Sequence, residues 1–250
     1  MEPIGTPSSD TVVQATEERD EPGRTVAPIV QFSREDCELF QRYPKPVHWD
    51  EANIPASDQA QFRDIHRRLE DLAVWLATTA RVAVQLRPHT SHPLANGRST
   101  KRSWCCVYPA SAPNKSYSLQ VLLVISASGA ELGICLGAGR SQVRGPKVVE
   151  SERALEELQA RLASIPDDVV SALENALPSD VNYRKSWLEP AGTRDFESIN
   201  EWISYAASRS GAGASISRNF DSEELDRLGI QIGNVFLEFA DAAGPLMEYC

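Results

Sequence analysis

The sequence contains no run of eighteen apolar residues. Its longest apolar stretch, LQVLLVI (Leu119 to Ile125), includes a glutamine and is strand-sized, which excludes a membrane-spanning helix there. No basic start with an apolar core opens the chain, as a secretory signal requires. A soluble cytoplasmic protein without membrane association is therefore expected. Cysteine is sparse and odd in number: Cys37, Cys105, Cys106, Cys135 and Cys250 show no framework spacing. Reduced, buried thiols are expected rather than disulfides.

Catalytic signatures are equally scarce. There is no G-x-S-x-G elbow, no Walker A lysine and no dinucleotide fingerprint. The glycine-rich GAGASIS (Gly211 to Ser217) precedes no strand-to-helix phosphate unit and reads as a flexible loop between helices. No acid-acid-lysine set suggests a metal-dependent nuclease. The chain is expected to be non-catalytic and to need no cofactor.

Acid is nearly absent from one window. From Arg81 to Lys147 there are nine arginines and lysines and one acid, Glu131. That window stands at +8 in a chain of formal charge −10, so the rest carries −18. Such asymmetry gives a chain with a pI near 5.0 one anion-attracting face.

Within this window RPHTSHPLANGRSTKRSWCCVYP (Arg87 to Pro109) brings together two histidines and two cysteines. His89 and His92 with Cys105 and Cys106 have zinc-binding atoms. However, adjacent strand residues point to opposite faces, so both cysteines cannot serve one tetrahedral site. A thiolate–imidazole pair of Cys105 or Cys106 with either histidine is a second reading. A mid-strand cysteine beside Trp104 and Val107 reads more simply as core, and no metal is expected.

The arrangement of elements reads as α+β, since runs of strands precede runs of helices. Residues 1–28 are rich in Pro, Ser, Thr and acids and are expected to form a disordered acidic leader. Residues 29–250 are expected to form a single domain, a small and mainly antiparallel sheet flanked by helices. An irregular, aromatic-anchored segment around Phe32 to Trp49 comes first. A helix follows Pro55, with Ser57 as N-cap and an apolar stripe of Phe62, Ile65, Leu69, Leu72 and Leu76. Strands are expected at VAVQL (82–86), SWCCVY (103–108), SYSLQVLLVIS (116–126) and AELGICLG (130–137), the last two joined as a hairpin. The third is apolar on both faces, which places it centrally. Helices account for the remainder. One begins at Ser151, one is DDVVSALENAL and one is DFESINEWISYA. The last has Asp221 and Glu224 as a capping box and continues to Phe239.

Alternation along the second strand puts Arg102, Trp104, Cys106 and Tyr108 on one face. Basic side chains interleaved with aromatics hold phosphates and offer flat faces to bases. The candidate nucleic-acid-binding residues are therefore Arg98, Lys101, Arg102, Lys115, Arg140 and Arg144, with Trp104, Tyr108 and Tyr117 as aromatic partners. An alternative is that the basic face docks an acidic protein.

The order of these parts is an amphipathic helix, SWCCVY, then SYSLQVLLVISASGAELGICLGAG, then helices with Trp187-Leu188 and EWISYA. This resembles the N-terminal DNA-binding domain of McrB-type modification-dependent restriction proteins, over about residues 58–245. The resemblance implies a base-flipping reader of modified cytosine in a bacterial defence system. Trp104, Tyr108 and Tyr117 then supply the pocket, and Arg98, Lys101, Arg102 and Lys115 supply the rim. It also implies DNA as partner, with the motor or nuclease on a separate subunit.

Overall fold

Phe62, Ile65, Leu69, Leu72 and Leu76 recur every three or four residues and are all fully buried. They form the core stripe of α2 (Ala56–Thr79) in the computed structural model, which describes residues 28–92, 97–139, 146–190 and 192–250. Of residues 146–151 only the helical backbone is described. The leader expected over residues 1–28 lies, apart from Pro28, outside the described residues. Pro55 rather than Ser57 is the N-cap of α2, because its extended ψ lets the first turn begin two residues earlier.

The segment before α2 is more regular than expected. Arg34–Arg42 forms α1. Its start is fixed by Asp36, whose carboxylate accepts the Ser33 N–H at 2.9 Å. The same buried carboxylate takes two 2.8 Å bonds from Arg68 of α2. The signal was present as Ser33 followed three residues later by an acid, but the flanking prolines obscured it.

Among the described residues six strands form one antiparallel sheet in the order β1-β2-β3-β4-β6-β5. They are β1 (Leu86–Thr90), β2 (Arg102–Pro109), β3 (Leu119–Ser126), β4 (Gly129–Leu136), β5 (Asn182–Arg184) and β6 (Ser215–Phe220). With its flanking helices the sheet makes a single α+β domain. β3 occupies an interior position between β2 and β4, as its two apolar faces require. β3 and β4 are joined by the two-residue turn Ala127–Ser128, with Ser126 opposite Gly129. Gly129 has φ +118°, and a Cβ there would meet the Phe220 carbonyl oxygen at 2.0 Å. Glycine thus lets β6 close against the hairpin.

Two expectations about strands are corrected. The first strand is not 82–86 but starts at Leu86. Upstream, the Arg81 and Ala83 N–H groups are taken by the Asp241 and Glu248 carboxylates, so that backbone bonds to side chains instead of a ladder. Pro88 sits within β1, which it can do because β1 is an edge strand. GAGASIS is not merely a loop between helices, since its end enters β6, which pairs with β4 over its whole length. The region after β4 therefore holds two strands as well as helices.

The helices are α3 (Pro146–Ala163), α4 (Asp167–Ala176), α5 (Ile199–Ala206), α6 (Ser222–Leu228), α7 (Ile232–Ala242) and α8 (Gly244–Tyr249). The capping box of α6 forms as expected: Asp221 accepts from the Glu223 and Glu224 N–H groups, and Glu224 accepts from Asp221. The helix does not continue to Phe239. Gly229, at φ +52°, ends α6, and one 3-10 turn precedes α7.

The main core lies on one face of the sheet. Cys105 and Val107, Val121, Leu123 and Ile125, Leu132, Ile134 and Leu136 point into it, against α1, α2 and α7. Among the described residues no helix is long and apolar enough to cross a membrane. Leu123 is fully buried at the centre of this face. Leu123→Ala should lower stability by about 2–5 kcal/mol, read as a reduced urea midpoint with unchanged slope.

Candidate functional site

Period-two alternation sends Arg102, Trp104, Cys106 and Tyr108 to the face opposite the helices. There Cys106, Leu122, Val124 and Cys135 form a second, smaller apolar patch, on which Trp104, Tyr108 and Trp187 pack half-buried. Trp187 comes from the segment after β5 and is held by its N–H to the Gly213 carbonyl at 2.9 Å. The Trp104 and Trp187 rings meet edge to face with centroids 6.0 Å apart.

Two cations sit on this pair. The Arg102 guanidinium lies 4.6 Å from the Trp187 centroid, and the Lys115 ammonium lies 4.8 Å from that of Trp104. Both distances are within the cation–π range. Lys115 is presented by a 3-10 turn over Lys115–Tyr117. That turn is fixed by Asn114 accepting the Ser116 N–H and by the Gln120 amide donating to the Lys115 carbonyl.

Beneath them is a buried ion pair. The Arg184 side chain is fully buried and bonds the Glu131 carboxylate and, at 3.2 Å, the Ser217 hydroxyl. Its other nitrogen, Nη2, donates to the carbonyls of Glu189 and Pro190, pinning the segment that carries Trp187. Burial pushes the Glu131 carboxyl above its ordinary value, against the pull of Arg184. Burial also lowers the Arg102 guanidinium, and Glu131 opposes that shift.

The loop before β2 is equally ordered at its end. Trp49 donates to the Gly97 carbonyl at 3.1 Å and Ser99 to that of Val47 at 2.9 Å. The Ser99 hydroxyl accepts the Val47 N–H at 3.2 Å. His48 and Arg98 pair as an isolated bridge. This frame borders a depression of about 660 Å³, whose lining includes His48, Arg98, Thr100, Lys101, Arg102 and Trp104. A second depression, of about 240 Å³, lies between Trp104, Lys115 and Trp187. Among the described residues no acid lines either one.

Of the residues expected from sequence, Arg98, Lys101, Arg102, Trp104 and Lys115 come together here. Tyr108 shares the face, at the edge of the apolar patch. Tyr117 does not belong. It is 3% exposed and borders a separate 250 Å³ cavity with Leu158, Arg161 and Cys250, because the 3-10 turn rotates it away from Lys115. Arg140 and Arg144 lie outside the described residues. Sequence reasoning missed Trp187, Glu131 and His48. Glu131 had a signal, as the lone acid of a basic window inside an apolar strand implies a buried partner.

The four remaining chemistry-bearing side chains of the window are separated. Cys105 faces the main core and Cys106 the smaller patch, both fully buried. Burial pushes the Cys106 thiol up to about 12 and that of Cys105 well above its usual range, so neither is a thiolate at neutral pH. His89 packs on Trp104 at 5.4 Å, whereas His92 is exposed and stacks with His66. Among the described residues no three His, Cys, Asp or Glu side chains gather as metal ligands. Comparison of the chain with protein-family models and with curated proteins gives no match.

Two predictions follow from this chemistry. Burial, aided by Lys115, lowers the His89 pKa from 6.5 to about 4. Between those values the unfolded chain takes up a proton that the folded one refuses, so this contribution is present above pH 6.5 and lost as pH falls. The urea midpoint of the wild type should therefore drop more from pH 7 to 4.5 than that of His89→Gln. Equal drops would rule the account out. Cys105 and Cys106 should resist iodoacetamide in the native state, as checked by peptide mass mapping.

Proposed function

We propose that this chain is a non-catalytic nucleic-acid recognition module. Arg98, Lys101, Arg102 and Lys115 hold phosphates, and the Trp104–Trp187 pair supplies the aromatic surface for bases. One observation carries the reading: two adjoining depressions share a tryptophan and are lined, among the described residues, by Arg98, Lys101, Arg102 and Lys115 and no acid, in a chain of net charge −10. Cations supply backbone affinity, and indoles supply contact with bases of any sequence. A nucleic acid uses both parts of this surface, its phosphates meeting the cations and its bases the paired indoles.

The resemblance to McrB-type DNA-binding domains extends the proposal. The ligand would then be DNA bearing a modified cytosine, in a bacterial restriction-type defence system. A motor or nuclease would act from a separate subunit.

The test is fluorescence anisotropy in about 50 mM salt with three probes: a single strand, a duplex and a cytosine-methylated duplex. Wild-type affinity should fall steeply with salt. Arg98→Glu/Lys101→Glu changes two exposed side chains and should weaken binding by tenfold or more. The log–log salt slope should become shallower by about 1–2, near 0.9 per lost phosphate contact. Arg102 is left intact because an acid there would face Glu131. If the wild type binds none of the three probes, the reading is wrong.

A further inference from the structure

We infer that the 660 Å³ depression is a terminal-phosphate site. It takes the phosphomonoester of a 5′-nucleotide rather than an internal phosphodiester. This rests on the nucleic-acid reading above and narrows it to one end of the ligand.

The volume of the depression falls within the range of small-ligand pockets, roughly 300–1,000 Å³. Its charge is concentrated: Arg98, Lys101 and Arg102 line it beside His48, with no acid among the described residues. An internal phosphodiester carries one negative charge, whereas a phosphomonoester carries about 1.5–2 and has three strong acceptor oxygens. Three permanent cations around one cavity match the second better than the first.

Thr100 gives an independent observation. It lines the same depression, and its Oγ1 is buried without a hydrogen-bond partner. A buried hydroxyl left unpaired is costly, and a phosphate oxygen would accept its proton. Ser99 on the preceding residue is fully engaged, its hydroxyl by Val47 N–H and its own N–H by the Val47 carbonyl. The loop is thereby held in place while Thr100 remains available.

Trp104 closes the site. Lys115 lies over the Trp104 ring on the side of the smaller depression and His89 packs against it, and the indole also borders the larger depression, where it would meet a base. A phosphate among the loop cations and a base against Trp104 together describe one nucleotide.

The experiment compares two hexanucleotides of the same sequence, one 5′-phosphorylated and one with a 5′-hydroxyl. A nucleoside 5′-monophosphate, the nucleoside and inorganic phosphate are titrated alongside, all followed by tryptophan fluorescence. The phosphorylated hexamer should bind about tenfold or more tightly than its hydroxyl counterpart, a preference of the size expected for charge-assisted bonds. Lys101→Met and Thr100→Val should each shrink that preference. Lys101 is exposed, so its variant should keep the wild-type urea midpoint even if Thr100→Val does not. Inorganic phosphate should bind more weakly than the monophosphate, which also meets Trp104. Equally tight binding of the monophosphate and the phosphorylated hexamer assigns a free nucleotide, and binding of the hexamer alone assigns a strand end. Equal affinity for the two hexamers overturns the terminal-phosphate site while leaving nucleic-acid binding intact. Failure of every probe overturns both.

Discussion

Glu131 and Arg184 form the contact on which the outer face of the sheet depends. Each charge loses water on burial, a cost of several kcal/mol that only close pairing and full hydrogen bonding can offset. Both terminal nitrogens of Arg184 are paired, with Glu131, Ser217 and two backbone carbonyls, while its Nε stays buried without a partner. The geometry has a structural consequence. β5 has only three residues, and its arginine reaches across β6 to β4 while clamping the segment that follows. This clamp acts together with the Trp187 N–H bond to the Gly213 carbonyl to hold the indole against Trp104 on the patch of Cys106 and Cys135.

The two faces of the sheet are built by different rules. The helix-facing side is a continuous aliphatic core, where position follows from the need to exclude water. The other side has a small apolar patch, a buried ion pair and two indoles bearing cations, and among the described residues no helix is packed over the patch. Ser215, Ser217 and Asn219 of β6 point to this side, and the Ser215 hydroxyl and both Asn219 amide atoms are buried without partners. The charge distribution agrees, since the helices carry most of the acid and the sheet with its loops most of the base.

What was legible in the sequence follows the density of the apolar pattern. α2 and strands β2 to β4 were readable because each repeats apolar residues at its own period, 3.6 or 2. The central place of β3 followed from being apolar on both sides. β6 was not legible, because SISRNF alternates serine and asparagine with only Ile216 and Phe220 as inward apolar anchors. β1 was displaced by four residues because Val82 and Val84 mimic a strand while the N–H groups of their neighbours Arg81 and Ala83 are captured by side chains of α7 and α8. The break after α6 hung on the positive φ of Gly229, which helical periodicity does not register.

The same division runs through the site. Sequence alone determined the basic window, the outward placement of Arg102 and Trp104, and the separation of Cys105 from Cys106. These depend on composition and on local alternation, which the chain carries within a few residues. Only the tertiary structure decided that Trp187 meets Trp104, that Glu131 belongs to Arg184, and that Tyr117 turns inward while Lys115 does not. Those contacts join residues 53 to 83 positions apart, or hinge on one 3-10 turn. They are set by how the strands are ordered in space, which no local period records.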